Sequence, residues 1–179
     1  MAQLIKTYYE NKQLRNMYFE NDGKMEGEYR EYYDNGQLKE ICNYINGMRE
    51  GERQLYNNNG QFYGIYHYID GKREGEYKSY HDNGQLYSIY NYIDDKITGE
   101  CRFYHANGQL YVICNYIDNK IEGEYREYHN NGKLSIVYND NKIRVNADSI
   151  MTVDNLNKFV INKIKKLFIV YNYIDDKYK

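Results

Sequence analysis

The sequence predicts an all-β protein: an extended single-layer antiparallel β-meander of 24-residue hairpin repeats, followed by one C-terminal α-helix. Three observations predict it. Glycine recurs at Gly36, Gly60, Gly84, Gly108 and Gly132, and a second set stands at Gly27, Gly51, Gly75, Gly99 and Gly123, both in steps of 24 residues without a slip. Between the glycines lie paired strand-length stretches rich in Tyr and Ile, joined by turns that carry Asn, Asp or Gly. Near the C-terminus, "VDNLNKFVINKIKKLF" abandons this pattern for apolar residues spaced three and four apart. A fixed period in the twenties marks an array whose short units pack on their neighbours, because one unit alone buries too little apolar surface.

The first unit is a degenerate end copy, "YYENKQLRNMYFENDGKMEGE". Its Tyr8-Tyr9 and Gln13-Leu14 match Tyr32-Tyr33 and Gln37-Leu38, while Lys12 replaces the turn glycine. The next, "GEYREYYDNGQLKEICNYINGMRE" (Gly27 to Glu50), predicts a strand over Glu28 to Tyr33, a hairpin turn at Asn35-Gly36 and a second strand over Leu38 to Tyr44. A second turn, "INGMREG" here and "IDGKREG", "IDDKITG" and "IDNKIEG" later, leads into the following hairpin. Gly, Asn and Asp recur there because such turns need residues that tolerate positive φ. Equal steps place the turns at Asn35-Gly36, Asn59-Gly60, Asn83-Gly84, Asn107-Gly108 and Asn131-Gly132 along one edge of the sheet.

Positions that keep one kind of apolar or aromatic side chain in every copy are read as packing positions. They are Tyr32, Tyr56, Tyr80, Tyr104 and Tyr128; Leu38, Phe62, Leu86, Leu110 and Leu134; and Ile41, Ile65, Ile89, Ile113 and Val137. A two-residue type I′ turn would pair Tyr32 with Lys39, whereas a three-residue loop with a glycine bulge sets Tyr32 beside Leu38. The second register is preferred because it joins two invariant apolar positions on one face, and a slip of one residue would exchange the faces. The array is assigned to 1–142, with about ten to twelve strands.

Residues 143–179 form the C-terminal part. Val153, Leu156, Val160, Ile164 and Leu167 mark one face of a helix over 152–166, with Asp154 near its start and Lys163, Lys165 and Lys166 near its end. The closing "LFIVYNYIDDKYK" matches "LYSIYNYIDDK" (Leu86 to Lys96) and predicts a final strand. The helix would cap an end or part of a face of the sheet and restrain edge-to-edge association.

A net charge of −2 disfavours nucleic-acid binding, which calls for a basic stripe against phosphates. With 25 Tyr, no Trp and a mean hydropathy of −0.97, apolar area comes largely from rings with a polar tip, as suits a thin sheet better than a deep aliphatic core. Cys42 and Cys114 occupy one repeat position three copies apart, about 29 Å along the sheet at roughly 4.8 Å per strand, far beyond disulfide reach. The three cysteines are therefore expected as free thiols. No signal-peptide core or membrane-span-length apolar run is found, and the expected compartment is intracellular and cytoplasmic. The Asn, Ile, Lys and Tyr bias suits an A/T-rich genome; if that is a giant virus, the compartment is the host cytoplasm.

The pattern G-E-x-x-x-Y-x-x-N-G-Q-L, followed by a Tyr, a polar turn and a glycine, resembles the MORN-repeat variant family over about Tyr8 to Lys142. The resemblance implies a β-hairpin array that serves protein–protein interaction or scaffolding without enzymatic activity. Bacterial members that act as antitoxins imply a second reading, a neutraliser of a partner protein. The phospholipid contacts of standard MORN proteins imply a third, a lipid-surface module, for which Lys158, Lys163, Lys165 and Lys166 would supply a modest basic patch.

Candidate chemistry is sparse. His81, His105 and His129 share one repeat position, yet successive copies stand two strands or about 10 Å apart, too far to share a zinc ion with bonds of about 2.0–2.1 Å. Glu28, Glu52, Glu76, Glu100 and Glu124 are too equivalent to separate into acid and base, and Cys101 reads as a packing residue. No catalytic residue, metal or cofactor is expected. A binding face is expected instead from Tyr63, Tyr87 and Tyr111 together with His81, His105 and His129, on the side opposite the Tyr32 row, to meet an extended peptide or a partner's surface.

Overall fold

The computed structural model describes residues 1–139 and the backbone of Lys142–Val145. Their chain runs through β1 (Gln3–Tyr8), β2 (Leu14–Asn21), β3 (Lys24–Tyr32), β4 (Leu38–Ile45), β5 (Met48–Tyr56), β6 (Phe62–Ile69), β7 (Lys72–Arg73), β8 (Gly75–Tyr80), β9 (Leu86–Ile93), β10 (Lys96–Tyr104), β11 (Leu110–Ile117), β12 (Lys120–Ile121), β13 (Glu124–Tyr128), β14 (Leu134–Asn139) and β15 (Lys142–Val145). All join one antiparallel sheet in chain order, each arm beside the one before it. The short β7 and β12 are the first residues of hairpin arms that continue as β8 and β13, so the sheet has thirteen arms, slightly more than expected, because the degenerate first copy forms two full strands. Pairing runs on to Val145, three residues past the expected end of the array. The expected helix over 152–166 and the final strand lie outside the described residues.

The Asn-Gly turns follow the three-residue register. Tyr33 N–H donates to Gln37 O at 2.8 Å, Gly36 N–H donates to Tyr33 O at 2.9 Å, and Gly36 sits at φ +84°, so Asp34, Asn35 and Gly36 form the loop. Tyr32 then faces Leu38, and its equivalents Tyr56, Tyr80, Tyr104 and Tyr128 face Phe62, Leu86, Leu110 and Leu134. In the end copy Lys12 takes the same left-handed place at φ +68°, a conformation that costs a residue with a Cβ about 1–2 kcal/mol.

The other edge is tighter than the quoted seven-residue stretches. Only two residues make each turn, with positive φ at both: Asp22-Gly23, Asn46-Gly47, Asp70-Gly71, Asp94-Asp95 and Asp118-Asn119. Such a turn matches the right-handed twist of its flanking strands. Gly51 and its equivalents lie beyond the turn, inside a strand arm. In β10, Thr98 faces Asn91 and Arg102 faces Ile89, so Gly99, Glu100 and Cys101 stand against Tyr90 alone. A Cβ on Gly99 would meet nothing within 4 Å, yet its φ is +86°. The backbone angle, and not space, demands glycine, and the extra residues bend and twist each arm.

One face carries the core. Residues facing each other across a ladder share a face, and the buried pairs are Tyr29 with Cys42, Arg53 with Tyr66, Tyr77 with Tyr90 and Cys101 with Cys114. One step toward the Asn-Gly edge lie Leu55 with Gly64, Ser79 with Ser88 and Phe103 with Val112. The rings lean along the sheet onto each other, with centroids 4.3 Å apart for Tyr66 and Tyr77, 4.7 Å for Tyr77 and Tyr90, and 6.0 Å for Tyr66 and Tyr92 two arms away. A single layer thereby withdraws its own apolar face from water. Within it, the buried Glu40 carboxylate accepts from Arg53 Nε at 2.9 Å, with Arg49 3.7 Å away.

The Tyr32 and Ile41 rows lie on the opposite face by strand alternation, and the register shift that leaves Lys39 unpaired brings Leu38 opposite Tyr32 on that same face; all three rows are half-buried. Invariance at these three positions therefore does not mark the core. Tyr77→Ala, at 3% exposure, is expected to cost about 3–5 kcal/mol in denaturant melts, whereas Tyr80→Ala on the other face costs about 1–2 kcal/mol. Equal losses would place the core on the wrong side of the sheet.

Candidate interaction surface

In four copies the ring immediately after the Tyr32-type residue reaches the next copy. Tyr9 Oη donates to Tyr32 O at 2.7 Å and Tyr33 Oη to Tyr56 O at 2.9 Å; His81 Nε2–H donates to Tyr104 O at 2.8 Å and His105 Nε2–H to Tyr128 O at 2.9 Å. A carbonyl only accepts, so these bonds hold the proton on Nε2 of both imidazoles. The His81 ring rests on Tyr87 with centroids 4.9 Å apart, and His105 rests on Tyr111 at 4.6 Å. Tyr87 in turn meets Phe103, while Tyr63 and Tyr111 pack against the buried cluster. Burial pushes the Tyr87 and Tyr111 hydroxyls above the ordinary phenol range, helped by Tyr111 in the first case and Glu127 in the second.

The expected binding set is thus brought together as two ring pairs, His81 with Tyr87 and His105 with Tyr111. Tyr63 has no histidine beside it, because Asn57 fills that repeat position and accepts the backbone N–H of Gln61 through Oδ1 at 3.0 Å. His129 is exposed. As expected, these residues sit opposite the Tyr32 row, but that side is the one that holds the core. Among the described residues no group of three or more His, Cys, Asp and Glu is placed to hold a metal ion.

The opposite face is organised in rows. Toward the Asn-Gly edge runs an apolar stripe in which Tyr56, Phe62 and Tyr80 stack with centroids 5.6 and 5.4 Å apart. A charged band follows, where Glu28 pairs with Arg30 at 2.7 Å, and Glu76, Glu100 and Glu124 pair with Lys78, Arg102 and Arg126 on their own strands. Glu52 instead accepts from Gln54 Nε2 at 3.5 Å. Along the two-residue-turn edge stands a row the sequence reading did not single out: Ile45, Ile69, Ile93 and Ile117, between 46% and 55% exposed. Its signal was the Ile before four of these turns, in "YING", "YIDG", "YIDD" and "YIDN".

Between these rows the bulges leave open depressions. One of about 500 Å³ is lined by Glu28, Ile41, Asn43, Gly51, Glu52 and His67 among others. Another of about 310 Å³, lined by Glu100, Ile113, Cys114, Asn115, Glu124 and Arg126, is its counterpart three copies on. Surface relief, like side-chain identity, repeats with the array.

A family model for the MORN repeat variant matches residues 25–46, 73–94, 97–118 and 121–141, each beginning a whole number of 24-residue steps from the others. The chain belongs to the MORN repeat variant family. Between the first two matched stretches, β5 and β6 form the same hairpin although Asn57, Phe62 and Gly64 differ from their counterparts, so the MORN-variant array is continuous in space. A search among curated proteins gives no match. Among solved structures, one described as "Crystal structure of GtfA/B complex bound to UDP and GlcNAc" aligns with 92% of this chain and 27% of its own, at 9% identity and a TM-score of 0.23. This chain thus spans about a quarter of that one.

His81→Ala removes both a hydrogen bond between copies and a ring contact, and is expected to cost about 1–2 kcal/mol in denaturant unfolding. His129→Ala, at an exposed site, should stay within about 0.5 kcal/mol of the parent; a His81 variant equally neutral would mean that its ring does not tie the copies together.

Proposed function

We propose that this MORN-variant array is a protein-binding scaffold, without enzymatic activity or cofactor, whose contact surface is the face opposite the core. One observation carries the reading. On the core face the position of Tyr29, Arg53, Tyr77, Cys101 and Tyr125 changes from copy to copy, and the constant Tyr44, Tyr68, Tyr92 and Tyr116 row is accounted for by packing, whereas the opposite face repeats Tyr, Leu, Ile and the half-exposed Ile45 row. Packing explains a buried ring; it does not explain four equivalent isoleucines held in water. Exposed apolar side chains gathered in rows mark a surface that meets a partner. Adjacent copies present them about 10 Å apart, two strands of roughly 4.8 Å each, so a partner is engaged along several copies at once.

Charge favours a protein over a lipid surface. Residues 1–139 hold 21 Asp and Glu against 16 Lys and Arg, a net charge of −5. Lys72 and Lys96, which face Ile69 and Ile93 across their turns, are already paired with Asp94 and Asp118. A cytoplasmic leaflet, being anionic, attracts the opposite pattern.

The test is capture from extract of the native cell by the immobilised chain. Combining Ile69→Glu, Ile93→Glu and Ile117→Glu should lower capture more than tenfold, since interface positions of middling weight each contribute about 1–2 kcal/mol, with the β-sheet circular dichroism unchanged. Undiminished capture contradicts the assigned face. If Tyr63→Phe, Tyr87→Phe and Tyr111→Phe together abolish it instead, the contact belongs to the ring row on the core side.

A further inference from the structure

Cys101 and Cys114 face each other across the β10–β11 ladder. Both point to the core face, and both are buried, at 1% and 4% exposure. Facing residues of an antiparallel pair have Cα atoms about 4.5–5.5 Å apart, inside the roughly 4.4–6.8 Å range over which a disulfide closes. Cys42 provides an internal contrast, for it fills the same repeat position as Cys114 but faces Tyr29. The chain therefore holds one thiol pair ready to join and one equivalent thiol without a partner across its hairpin.

We propose that Cys101 and Cys114 are an oxidative modification site, forming an intrachain disulfide across the β10–β11 hairpin. With a peroxide as oxidant the chemistry balances as follows. One thiol loses its proton, and its sulfur attacks a peroxide oxygen, breaking the O–O bond; water leaves and the sulfur becomes a sulfenic acid. The second thiol attacks that sulfur, the S–O bond breaks, and a second water departs with the remaining proton. Two thiols and one hydrogen peroxide yield one disulfide and two waters, a two-electron oxidation of the protein.

Burial sets the rate. It pushes the Cys114 thiol up to about 12 and raises the Cys101 thiol further still, with Cys114 beside it as the second cause. The thiolate is the reactive form, so the closed hairpin reacts slowly and opening of β10–β11 controls access. Once made, the bond is shielded by the same burial. It joins the two arms around the Asn107-Gly108 turn, and the loop it closes is part of the unfolded chain's freedom that the oxidised protein no longer regains on unfolding.

The experiment treats the purified full chain with hydrogen peroxide in mild denaturant, removes both, and compares it with Cys42→Ser, Cys101→Ser and Cys114→Ser. The parent and Cys42→Ser should each lose two hydrogens of mass, yield a linked peptide containing Cys101 and Cys114, and melt several degrees higher than their reduced forms. In the parent, one alkylatable thiol, Cys42, should remain after full denaturation. Oxidation should be several-fold slower without denaturant. Cys101→Ser and Cys114→Ser should show neither the linked peptide nor the rise in melting temperature. Three alkylatable thiols after treatment, a link through Cys42 or between chains, or an oxidised parent that melts no higher than the reduced one would overturn the proposal.

Discussion

The array depends on hydrogen bonds that step from each turn to the same turn one copy away, at both edges of the sheet. At the Asn-Gly edge the Asn35 side-chain amide donates to Asn58 O at 2.7 Å while its oxygen accepts Gln37 N–H at 3.0 Å, and Asn11, Asn83 and Asn107 repeat the arrangement. At the other edge Gly47 N–H donates to Met25 O at 2.9 Å, and Gly71, Asp95 and Asn119 make the same bond to Arg49, Arg73 and Ile97. Glu26, Glu50 and Glu74 add carboxylates that accept the N–H of Asn46, Asp70 and Asp94. An inserted residue in any copy would break both edges and send every side chain of the strand to the wrong face. That is why the period does not slip.

With the backbone tied at its edges, the core is free to vary by pairs. Leu55 stands over Gly64, Phe103 over Val112, and Ser79 and Ser88 share a hydrogen bond at 2.6 Å. Bulk is traded between facing partners so that the layer stays filled, which keeps density near that of close-packed interiors. Glu40 and Arg53, diagonal neighbours on adjacent strands, place opposite charges where other copies hold apolar or hydroxyl side chains. Such a pair contributes little net stability, but removing one member would strand a buried charge at a cost of about 3–5 kcal/mol.

Much of this was legible in the sequence. The period, the hairpins, the antiparallel meander and the pairing of Tyr32 with Leu38 follow from glycine spacing and turn chemistry. Which face is buried did not follow, because the constant Tyr32, Leu38 and Ile41 rows were read as the packing positions, while the buried positions vary from copy to copy apart from the row of Tyr44, Tyr68, Tyr92 and Tyr116. The second glycine set was read with the turns, since a bulge and a turn ask for the same positive φ. Facing of Cys101 and Cys114 did not follow from the preferred register, which sets Cys101 opposite Ile113; a register shift between Phe103 and Tyr104 brings it to Cys114. The rings of His81 and His105 looked like surface features because the carbonyls they reach belong to the next copy, 23 residues on.

Native-state hydrogen exchange at the two-residue turns tests the edge-tying bonds most directly. The N–H groups of Gly47, Gly71, Asp95 and Asn119 sit at turns where unbonded amides exchange within the dead time of the measurement. If each is held by the preceding copy, they exchange with protection close to that of central ladder amides such as those of Tyr66 and Tyr90, rising and falling with global stability. Exchange of these four at unprotected rates, with the ladder amides still protected, would contradict the account and leave the copies joined by strand pairing alone.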